Sequence, residues 1–517
     1  MTKLVNLNEA NKSTTIQKDW LEIVDMGERS YRFGFWEVSI HTKTKGVEKY
    51  DVLVFNGVSK NGLFSILEAA GFAKRYRLDG SYILLREKEN ILSMATPAQI
   101  KDFCIELVNT LPDTMTVQGF KVTNERLKEI FYSSHHVLFG ENVLSPLRNN
   151  DSEMLADTAK EMFFPYLNTV VKVGRNGIEL IPYGDLKNLC IWESHIIKRN
   201  FILSPSKPMF ADFLTNVCSG DLERIRAMRC AIGYGMHRHY SGANTKAVIL
   251  YDEALTDANS ANGGTGKSLF AIALSKMRET ETIDGKKFDA SERFSLQRVT
   301  EATEIAFFDD VKPDFDFERF NSMLTNGWET EAKNKKALRI EVEKSPKMII
   351  ASNSIMRCKD GNTATRRQYI LEFSDYYSKL LDTVQKPIEH VHQCEFFTGW
   401  DGQEWNAFDN FMIASCIDYL ANGLPLQKTK NVEYNRLLQA TSQDFVDWVT
   451  EKDFQILTDY QFNQNFIEFK SLHYGENSQW SSATFGKWIK LYAKTGGFSY
   501  ETHKFNTVTY FKFKRVN

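Results

Sequence analysis

The sequence has little proline, no closely spaced cysteines and no long apolar run. Only 11 of its 517 residues are proline, so composition marks few linkers. The seven cysteines stand singly, without the short spacings of a zinc site or a disulfide framework, which predicts a reduced, cytoplasmic protein. No stretch reaches about 18 uninterrupted apolar residues, and the first residues lack a signal-peptide pattern. We therefore expect a protein that neither spans a membrane nor is secreted.

A large net charge of either sign is also missing. The 64 basic and 66 acidic residues leave a formal net charge of −2, so any surface for nucleic acid must come from local clustering. The overall charge neither indicates nor excludes DNA as a partner. The 42% hydrophobic content suffices for several buried cores, and at roughly 100–200 residues per domain the length predicts about three domains.

The first ~200 residues predict a mixed α/β accessory region. Strand-like runs at Tyr31–Ile40 and Ser81–Glu87 bracket a stretch from Gly62 to Tyr76 whose apolar residues recur at helical spacing. Further helices are predicted at Pro97–Leu111 and Asn124–Phe131, and apolar and charged residues alternate at helical period over Met209–His239. Two prolines in the segment SPSKP disfavour continued helix, so we place a domain boundary after residue 204.

A strand, a glycine-rich loop and a helix follow this boundary in the order that a phosphate loop requires. The apolar run Ala247–Tyr251 predicts a buried strand, and the segment NGGTGKS then opens the helical stretch LFAIALSKM. In this interpretation Lys267 neutralises the β and γ oxygens of ATP, and the hydroxyl of Ser268 binds Mg²⁺. The backbone cradle is predicted to comprise Gly263, Gly264, Thr265 and Gly266. Ala261 stands where the usual pattern has its first glycine. The alternative interpretation of the segment is a plain glycine-rich turn before a helix.

Two further strands are predicted to end in polar residues. The run IAFF ends at Asp309 and Asp310, which would hold the metal and polarise the attacking water, unless they merely cap the strand in solvent. The run MIIAS ends at Asn353, whose amide is placed to sense the γ-phosphate. Thirteen residues later stand Arg366 and Arg367, candidates for an arginine finger that reaches a neighbouring subunit, or else solvated surface cations.

The ordered segments GGTGKS, IAFFDDV, LTNGWETEAKNKK and KMIIASN resemble the A, B, B′ and C motifs of superfamily 3 helicases. The resemblance covers about residues 205–375 and is closest to the primase-helicases of phages and mobile elements, whose helicase half resembles that of the poxvirus protein. It implies a phosphate-loop AAA+-like ATPase that uses ATP and Mg²⁺ and forms a hexameric ring on DNA. Lys333, Lys335 and Lys336 match the pore lysines of the B′ motif, although such a cluster alone would more often be a solvated turn.

The last residues, Thr484–Asn517, combine a helix candidate with an alternating strand pattern and predict a small winged-helix-like domain. Its basic residues suit contact with DNA, and the alternative is a domain whose interleaved aromatic residues only form its core. The expected domains are therefore 1–204 (accessory), 205–385 (ATPase) and 386–517 (C-terminal). We expect an ATP-dependent DNA helicase or translocase of a phage or mobile element, acting in replication in the host cytoplasm. The alternative is an ATP-driven switch with the same core, which melts an origin or assembles in defence without unwinding DNA.

Overall fold

The chain folds as a mixed α/β protein with several sheets. The computed structural model describes residues 21–77, 80–240, 245–253, 264–289, 292–312, 315, 317, 320–331, 337–353, 356, 366–426, 429, 431–472 and 480–515.

The first half of the chain is rich in short strands. Its strands are β1 (Ile23–Gly27), β2 (Ser30–Phe33), β3 (Trp36–Lys45), β4 (Glu48–Val58), β5 (Phe72–Tyr76), β6 (Tyr82–Lys88), β7 (Ile91–Met94), β8 (Thr114–Val117), β9 (Phe120–Thr123), β10 (Glu153–Met154), β11 (Glu161–Pro165), β12 (Val170–Gly174), β13 (Gly177–Ile181) and β14 (Leu189–Trp192). Its α-helices are α1 (Lys60–Ala69), α2 (Pro97–Asn109), α3 (Asn124–Ser134) and α4 (Glu141–Leu144).

The second half alternates strands with longer helices. The helices are α5 (Met209–Val217), α6 (Leu222–Met236), α7 (Lys267–Ser275), α8 (Phe320–Asn326), α9 (Pro387–His392), α10 (Gly402–Asn422), α11 (Val432–Ala440), α12 (Gln443–Lys452), α13 (Phe462–Leu472) and α14 (Ser482–Thr495). The strands are β15 (Ala247–Asp252), β16 (Thr280–Asp284), β17 (Ile305–Asp309), β18 (Trp328–Thr330), β19 (Leu338–Ile340), β20 (Lys347–Ala351), β21 (Gln368–Phe373), β22 (Tyr460–Gln461), β23 (Phe498–Phe505) and β24 (Val508–Arg515).

The chain divides into two compact units. The first comprises the residues up to Leu155 together with Ile181–Ile196. It contains the antiparallel meander β1-β2-β3-β4 and a mixed sheet in the order β10-β14-β7-β6-β5. Its core is an apolar cluster in which Trp36, Leu67 and Phe131 are fully buried.

The second unit comprises Ala156–Leu180 and Ile197–Asn517 and is built around a five-stranded sheet. The strand order is β16-β17-β20-β15-β21, and every neighbouring pair is parallel. Alternate residues of each central strand point to opposite faces, so Val248 and Leu250 join one apolar cluster while Ile249 and Tyr251 join another. Burial on both faces explains why these strands read as continuous apolar runs in the sequence.

The C-terminal part of this unit has an apolar core of its own. Its elements follow the order α12, β22, α13, α14, β23 and β24, and the three strands form an antiparallel sheet in the order β22-β24-β23. Aromatic side chains fill the core, among them Phe445, Phe485 and Phe511, which are fully buried.

The structure confirms the strands predicted at Ala247–Tyr251, before Asp309 and before Asn353, and it corrects two helices. The helical stretch predicted over Met209–His239 is two helices, α5 and α6. The helical pattern from Gly62 to Tyr76 is interrupted, because α1 ends at Ala69 and the second half of the stretch is β5. Gly71 marks the break: its φ is +91°, and a Cβ atom there would lie 2.0 Å from the carbonyl oxygen of Glu87. A helix therefore cannot continue past this residue.

The domain boundaries proposed after residues 204 and 385 stay predictions. One apolar cluster runs across both, since it includes Phe201, Phe210, Phe373 and Phe396. Within the described residues, no helix combines the length and the apolar character needed to cross a bilayer.

We predict that the buried ring of His237 makes the protein sensitive to acid. Burial lowers the pKa of His237 to about 4, against the weaker effect of Asp157, which favours the charged ring. In the unfolded chain this histidine has a pKa near 6.5, so it binds the proton more tightly than in the folded protein. The free energy of unfolding should therefore be highest above pH 6.5 and fall by roughly 3 kcal/mol as the pH approaches 4.

The check is chemical denaturation across this pH range for the wild type and for His237→Gln, which keeps a donor for the Thr158 carbonyl but does not titrate. The stability of the variant should depend less on pH, whereas His136→Gln, at an exposed histidine, should behave like the wild type. Identical pH profiles for the wild type and His237→Gln would contradict the prediction.

Candidate functional site

Polar side chains from three neighbouring strands meet at one edge of the parallel sheet. β15 lies beside β20, and β20 lies beside β17. Because the strands are parallel, all three carboxyl ends reach the same edge, where they carry Asp252, Asn353 and the pair Asp309 and Asp310. In the chain, β15 leads into the glycine-rich segment that opens α7. The candidate site is this carboxyl edge.

The glycine-rich segment leads directly into the first turn of α7 and packs closely against Phe213. Gly264 and Gly266 have φ angles of +99° and +102°, which favour glycine, and Gly266 is the residue before the helix begins at Lys267. A Cβ atom on Gly266 would also lie 2.6 Å from the ring of Phe213. The first turn of α7 carries backbone N–H groups and the positive end of the helix dipole, a combination that suits an anion such as phosphate.

Lys267 is buried and held by an acid that ends the neighbouring strand. Its ammonium group forms an ion pair with Asp252 and donates to the hydroxyl of Thr265, 3.2 Å away. The Thr265 hydroxyl donates to the same Asp252 oxygen, Oδ1, at 2.5 Å. Burial lowers the pKa of Lys267, and the nearby carboxylate of Asp252 opposes this shift by favouring the charged form.

The first acid of β17 lies beside the first turn of α7. The hydroxyl of Ser268 donates to Oδ1 of Asp309 at 3.1 Å. Burial raises the pKa of Asp309, and the neighbouring Asp310 adds to this effect. A hydroxyl and a carboxylate at this separation offer the oxygen ligands that Mg²⁺ prefers, and a bound cation would stabilise the charged form of Asp309.

The second acid is held on both of its oxygens. Oδ1 of Asp310 accepts a hydrogen bond of 2.9 Å from the amide of Asn353, and Oδ2 lies 2.5 Å from the ammonium of Lys286. The hydrogen bond to Asp310 raises the pKa of Lys286. Asp310 itself has a φ of +56°, a conformation that few non-glycine residues adopt, so the chain turns sharply where β17 ends. The arrangement orients the carboxylate without covering it.

The two candidate finger arginines lie at the opposite edge of the sheet. Arg366 and Arg367 come directly before β21, and the carbonyl oxygen of Arg366 accepts a hydrogen bond of 2.6 Å from Lys246, which comes directly before β15. Burial lowers the pKa of Lys246, and the charges of Arg367 and Arg366 lower it further. The length of β15 separates this cationic cluster from Asp252 by about 20 Å, at roughly 3.3 Å for each of the six residue steps from Lys246 to Asp252. Within one chain the structure does not bring these arginines to Lys267.

Some predicted residues lie outside the described part of the chain, and two described residues of the site were missed. Gly263, Lys333, Lys335 and Lys336 are among the residues that the structure does not describe. Asp252 was missed although it ends a predicted strand in the same way as Asp309. Lys286 follows β16, and no local pattern in the sequence places it beside Asp310.

Comparison with known proteins gives a family match over part of the chain and weak likenesses to solved structures. Residues 259–367, which include every predicted site residue, match the model of a family of unknown function, DUF5906. No curated protein matches the chain. The apo A-form structure of the C-terminal region of NrS-1 covers 88% of this chain and 99% of its own, at 11% identity and a TM-score of 0.38. A second structure, of residues 305–718, covers 87% and 98%, at 12% identity and a TM-score of 0.40.

We predict that Asp252→Asn destabilises the protein. The substitution leaves the buried ammonium of Lys267 without its counterion, and loss of one partner from a buried ion pair lowers the free energy of unfolding by about 3 kcal/mol. The measurement is chemical denaturation without added nucleotide. The double variant Asp252→Asn with Lys267→Met removes both charges and should recover at least half of the loss. A single variant as stable as the wild type would contradict the ion pair.

Proposed function

We propose that the chain is an ATP-dependent DNA motor of the superfamily 3 helicase type. In this proposal it has a phosphate-loop AAA+-like core and a winged-helix-like C-terminal module, and it works as a hexameric ring in the replication of a phage or mobile element. The observation that carries the proposal is the convergence at one sheet edge of Lys267, the Ser268–Asp309 pair and the Asp310–Asn353 pair. In this proposal Lys267 and the two pairs each meet a different requirement of ATP hydrolysis.

The first turn of α7 and Lys267 would bind the phosphates. The backbone N–H groups of this turn and the ammonium of Lys267 direct positive charge to the same side of the sheet edge. When bound, Mg-ATP supplies the phosphoanhydride bond that is broken and the metal charge that offsets the phosphates. Lys267 would turn from Asp252 toward the phosphate oxygens, so Asp252 competes with the nucleotide for this ammonium.

The two acids would divide the remaining work. Asp309 and Ser268 are 3.1 Å apart and would hold the metal. The carboxylate of Asp310, fixed by Asn353, would accept a hydrogen bond from the attacking water and draw its proton. Because Asn353 donates to Asp310 and stands at the end of the strand between β15 and β17, it is placed to respond to the state of both the phosphate loop and the base.

The position of the arginines supports a site shared between subunits. Since Arg366 and Arg367 lie at the far edge of their own sheet, a role at the γ-phosphate requires a second copy of the chain. An arginine at the edge of one subunit would complete the site of its neighbour, and hydrolysis would then depend on assembly.

The strands β18 and β19 support the pore hypothesis. They pair antiparallel, with Trp328 opposite Ile340 and Thr330 opposite Leu338. The segment that joins them in the sequence contains Lys333, Lys335 and Lys336. Lysines repeated around a ring would bind the DNA backbone without reading sequence.

We predict that hydrolysis requires Lys267 and Asp310. Lys267→Ala removes the charge that would face the phosphates, and Asp310→Asn removes the base while keeping its shape, so each should lower the ATPase rate by about a hundredfold or more. The assay is phosphate release with and without single-stranded DNA, which should stimulate the wild type.

The matched control is Lys276→Ala, at the other end of α7, where the ammonium lies over the ring of Phe397. Its rate should stay near that of the wild type. Near-normal hydrolysis by Lys267→Ala would remove the motor hypothesis, and a wild type that hydrolyses ATP without any response to DNA would favour the switch instead.

We also predict that two inactive variants restore activity when they are mixed. The double variant Arg366→Ala with Arg367→Ala keeps Lys267, and Lys267→Ala keeps the arginines. In rings assembled from equal amounts, about a quarter of the interfaces pair an intact lysine with intact arginines, so about a quarter of the wild-type rate should return. A mixture as inactive as its components, or a fully active monomer by mass measurement with ATP and DNA, would contradict a shared site.

A further inference from the structure

The C-terminal module, residues 442–472 and 480–515, separates its charges by sequence half. In the first half, which holds α12, β22 and α13, six acids outnumber Lys452 and Lys470. These acids are Asp444, Asp447, Glu451, Asp453, Asp459 and Glu468. In the second half, which holds α14 and the β23–β24 hairpin, Glu501 stands against Lys487, Lys490, Lys494, Lys504, Lys512, Lys514 and Arg515. The module thus has one basic part built from a helix and a hairpin.

The helix α14 has one apolar and one basic side. Its N-cap Ser481 accepts a hydrogen bond of 3.1 Å from the backbone of Thr484. Its buried residues, four apart, are Phe485, Ile489 and Ala493. Its exposed lysines recur at intervals of three and four and are Lys487, Lys490 and Lys494. The lysines therefore form a stripe along the side of the helix that faces away from the core.

The stripe is continuous with the hairpin. The ammonium of Lys490 lies 5.7 Å from the ring centroid of Tyr500, on β23. The base of the hairpin is anchored in the core by Phe511 and Phe513, which are almost fully buried. The helix and the hairpin are therefore held together as one surface.

The charges on this surface are not all equally available. On β24, Lys514 forms an ion pair with Glu501 at 2.7 Å, and Lys512 lies 4.0 Å from Asp459. Within the described residues, Lys487, Lys490 and Lys504 have no ion-pair partner. The uncompensated charge therefore belongs to α14 and to the end of the hairpin.

An exposed aromatic side chain stands at the hairpin tip. Phe505 is paired with Val508 across a two-residue turn, Asn506-Thr507, and is 64% exposed. The turn residues have φ angles of +46° and +68°, the signs that a tight hairpin turn requires. Next to Phe505 is the exposed Lys504, so the tip presents an apolar ring beside a cation.

We propose that α14 and this hairpin form a surface for double-stranded DNA, with the lysine stripe in the major groove and Phe505 pressed into the base stack beside it. A helix of 14 residues is about 21 Å long and fits a major groove about 12 Å wide. Lysines on its outer side then reach phosphates on both walls of the groove. An apolar ring carried by a stiff hairpin can enter a base step and unstack it, as apolar wedges do in DNA-bending proteins.

This inference rests on the proposed function only in that the partner is DNA. Binding of DNA at this surface does not require ATP. The surface also differs from the pore hypothesis in the form of DNA that it binds, since a duplex occupies α14 whereas a single strand would occupy the pore. The two sites can therefore be tested separately in the same full-length protein.

The first test measures the affinity of the full-length chain for a short duplex by fluorescence anisotropy, without nucleotide and over a range of salt. The double variant Lys487→Ala with Lys490→Ala should bind at least tenfold more weakly, and the slope of log affinity against log salt should become shallower by about 0.9 for each lysine lost. The control Lys452→Ala with Lys470→Ala removes the same charge from the acidic half and should bind like the wild type. Equal losses in both double variants would overturn the proposal.

The second test concerns the wedge. A duplex that contains 2-aminopurine should brighten on binding as the base unstacks, and Phe505→Ala should abolish this signal and weaken binding roughly tenfold. The control Ile467→Ala changes a side chain on α13 that is also 64% exposed and should leave the signal intact. A signal that survives in Phe505→Ala would overturn the wedge.

The third comparison is with duplex RNA, whose narrow major groove does not admit a helix. We expect binding at least tenfold weaker than to DNA, and equal affinity would overturn the placement of α14. Basal ATPase of the α14 variants should match the wild type. An inactive ATPase that still binds duplex DNA through α14 would refute the proposed function alone, whereas an active ATPase indifferent to these lysines would refute only the surface.

Discussion

The burial of the central strands on both faces confines polar chemistry in the second unit to the edges of its sheet. Successive side chains of β15, β17 and β20 point into one or the other of two apolar clusters, so a charged group within a strand would be buried without a partner. The polar residues of these strands stand at their first or last positions, as Lys347 does where β20 begins. Because the strands are parallel, their ends coincide, and the same constraint that makes the runs apolar gathers Asp252, Asp309 and Asn353 at one edge.

The two edges use buried charge differently. Just before β16, the guanidinium of Arg278 uses four of its five N–H donors, to Asp157, Glu304 and the carbonyl oxygens of Met236 and Phe163. Such a network suits a structural role. At the carboxyl edge, the described partners of Lys267 are one carboxylate and one hydroxyl for an ammonium with three donors. An ammonium held by few partners can exchange one of them for a phosphate oxygen, whereas the guanidinium of Arg278 cannot move without breaking several contacts.

Much of this arrangement could be predicted because it is local. Strands buried on both faces read as apolar runs, and the glycines before Lys267 are required by positive φ angles and by the ring of Phe213. What could not be predicted depends on pairing over long distances in the sequence. Lys286 reaches Asp310 only because β16 pairs with β17, and Gly71 ends a helical pattern only because the backbone of Glu87 lies against it. Asp252 could have been predicted by the reasoning that selected Asp309, because each is an acid at the end of an apolar run.

The route between the candidate nucleotide site and the C-terminal module is short. The residue that follows Asp252 is Glu253, and its carbonyl oxygen accepts a hydrogen bond of 3.0 Å from the side chain of Asn431. The backbone of Asn431 donates in turn to Glu372 at 3.0 Å, on the strand next to β15. Asn431 directly precedes α11, which contacts the module through α12 and α14. In the proposed function, Lys267 would leave Asp252 for a phosphate oxygen. A shift of the end of β15 would then reach α11 through Glu253 and Asn431, and α11 contacts α14.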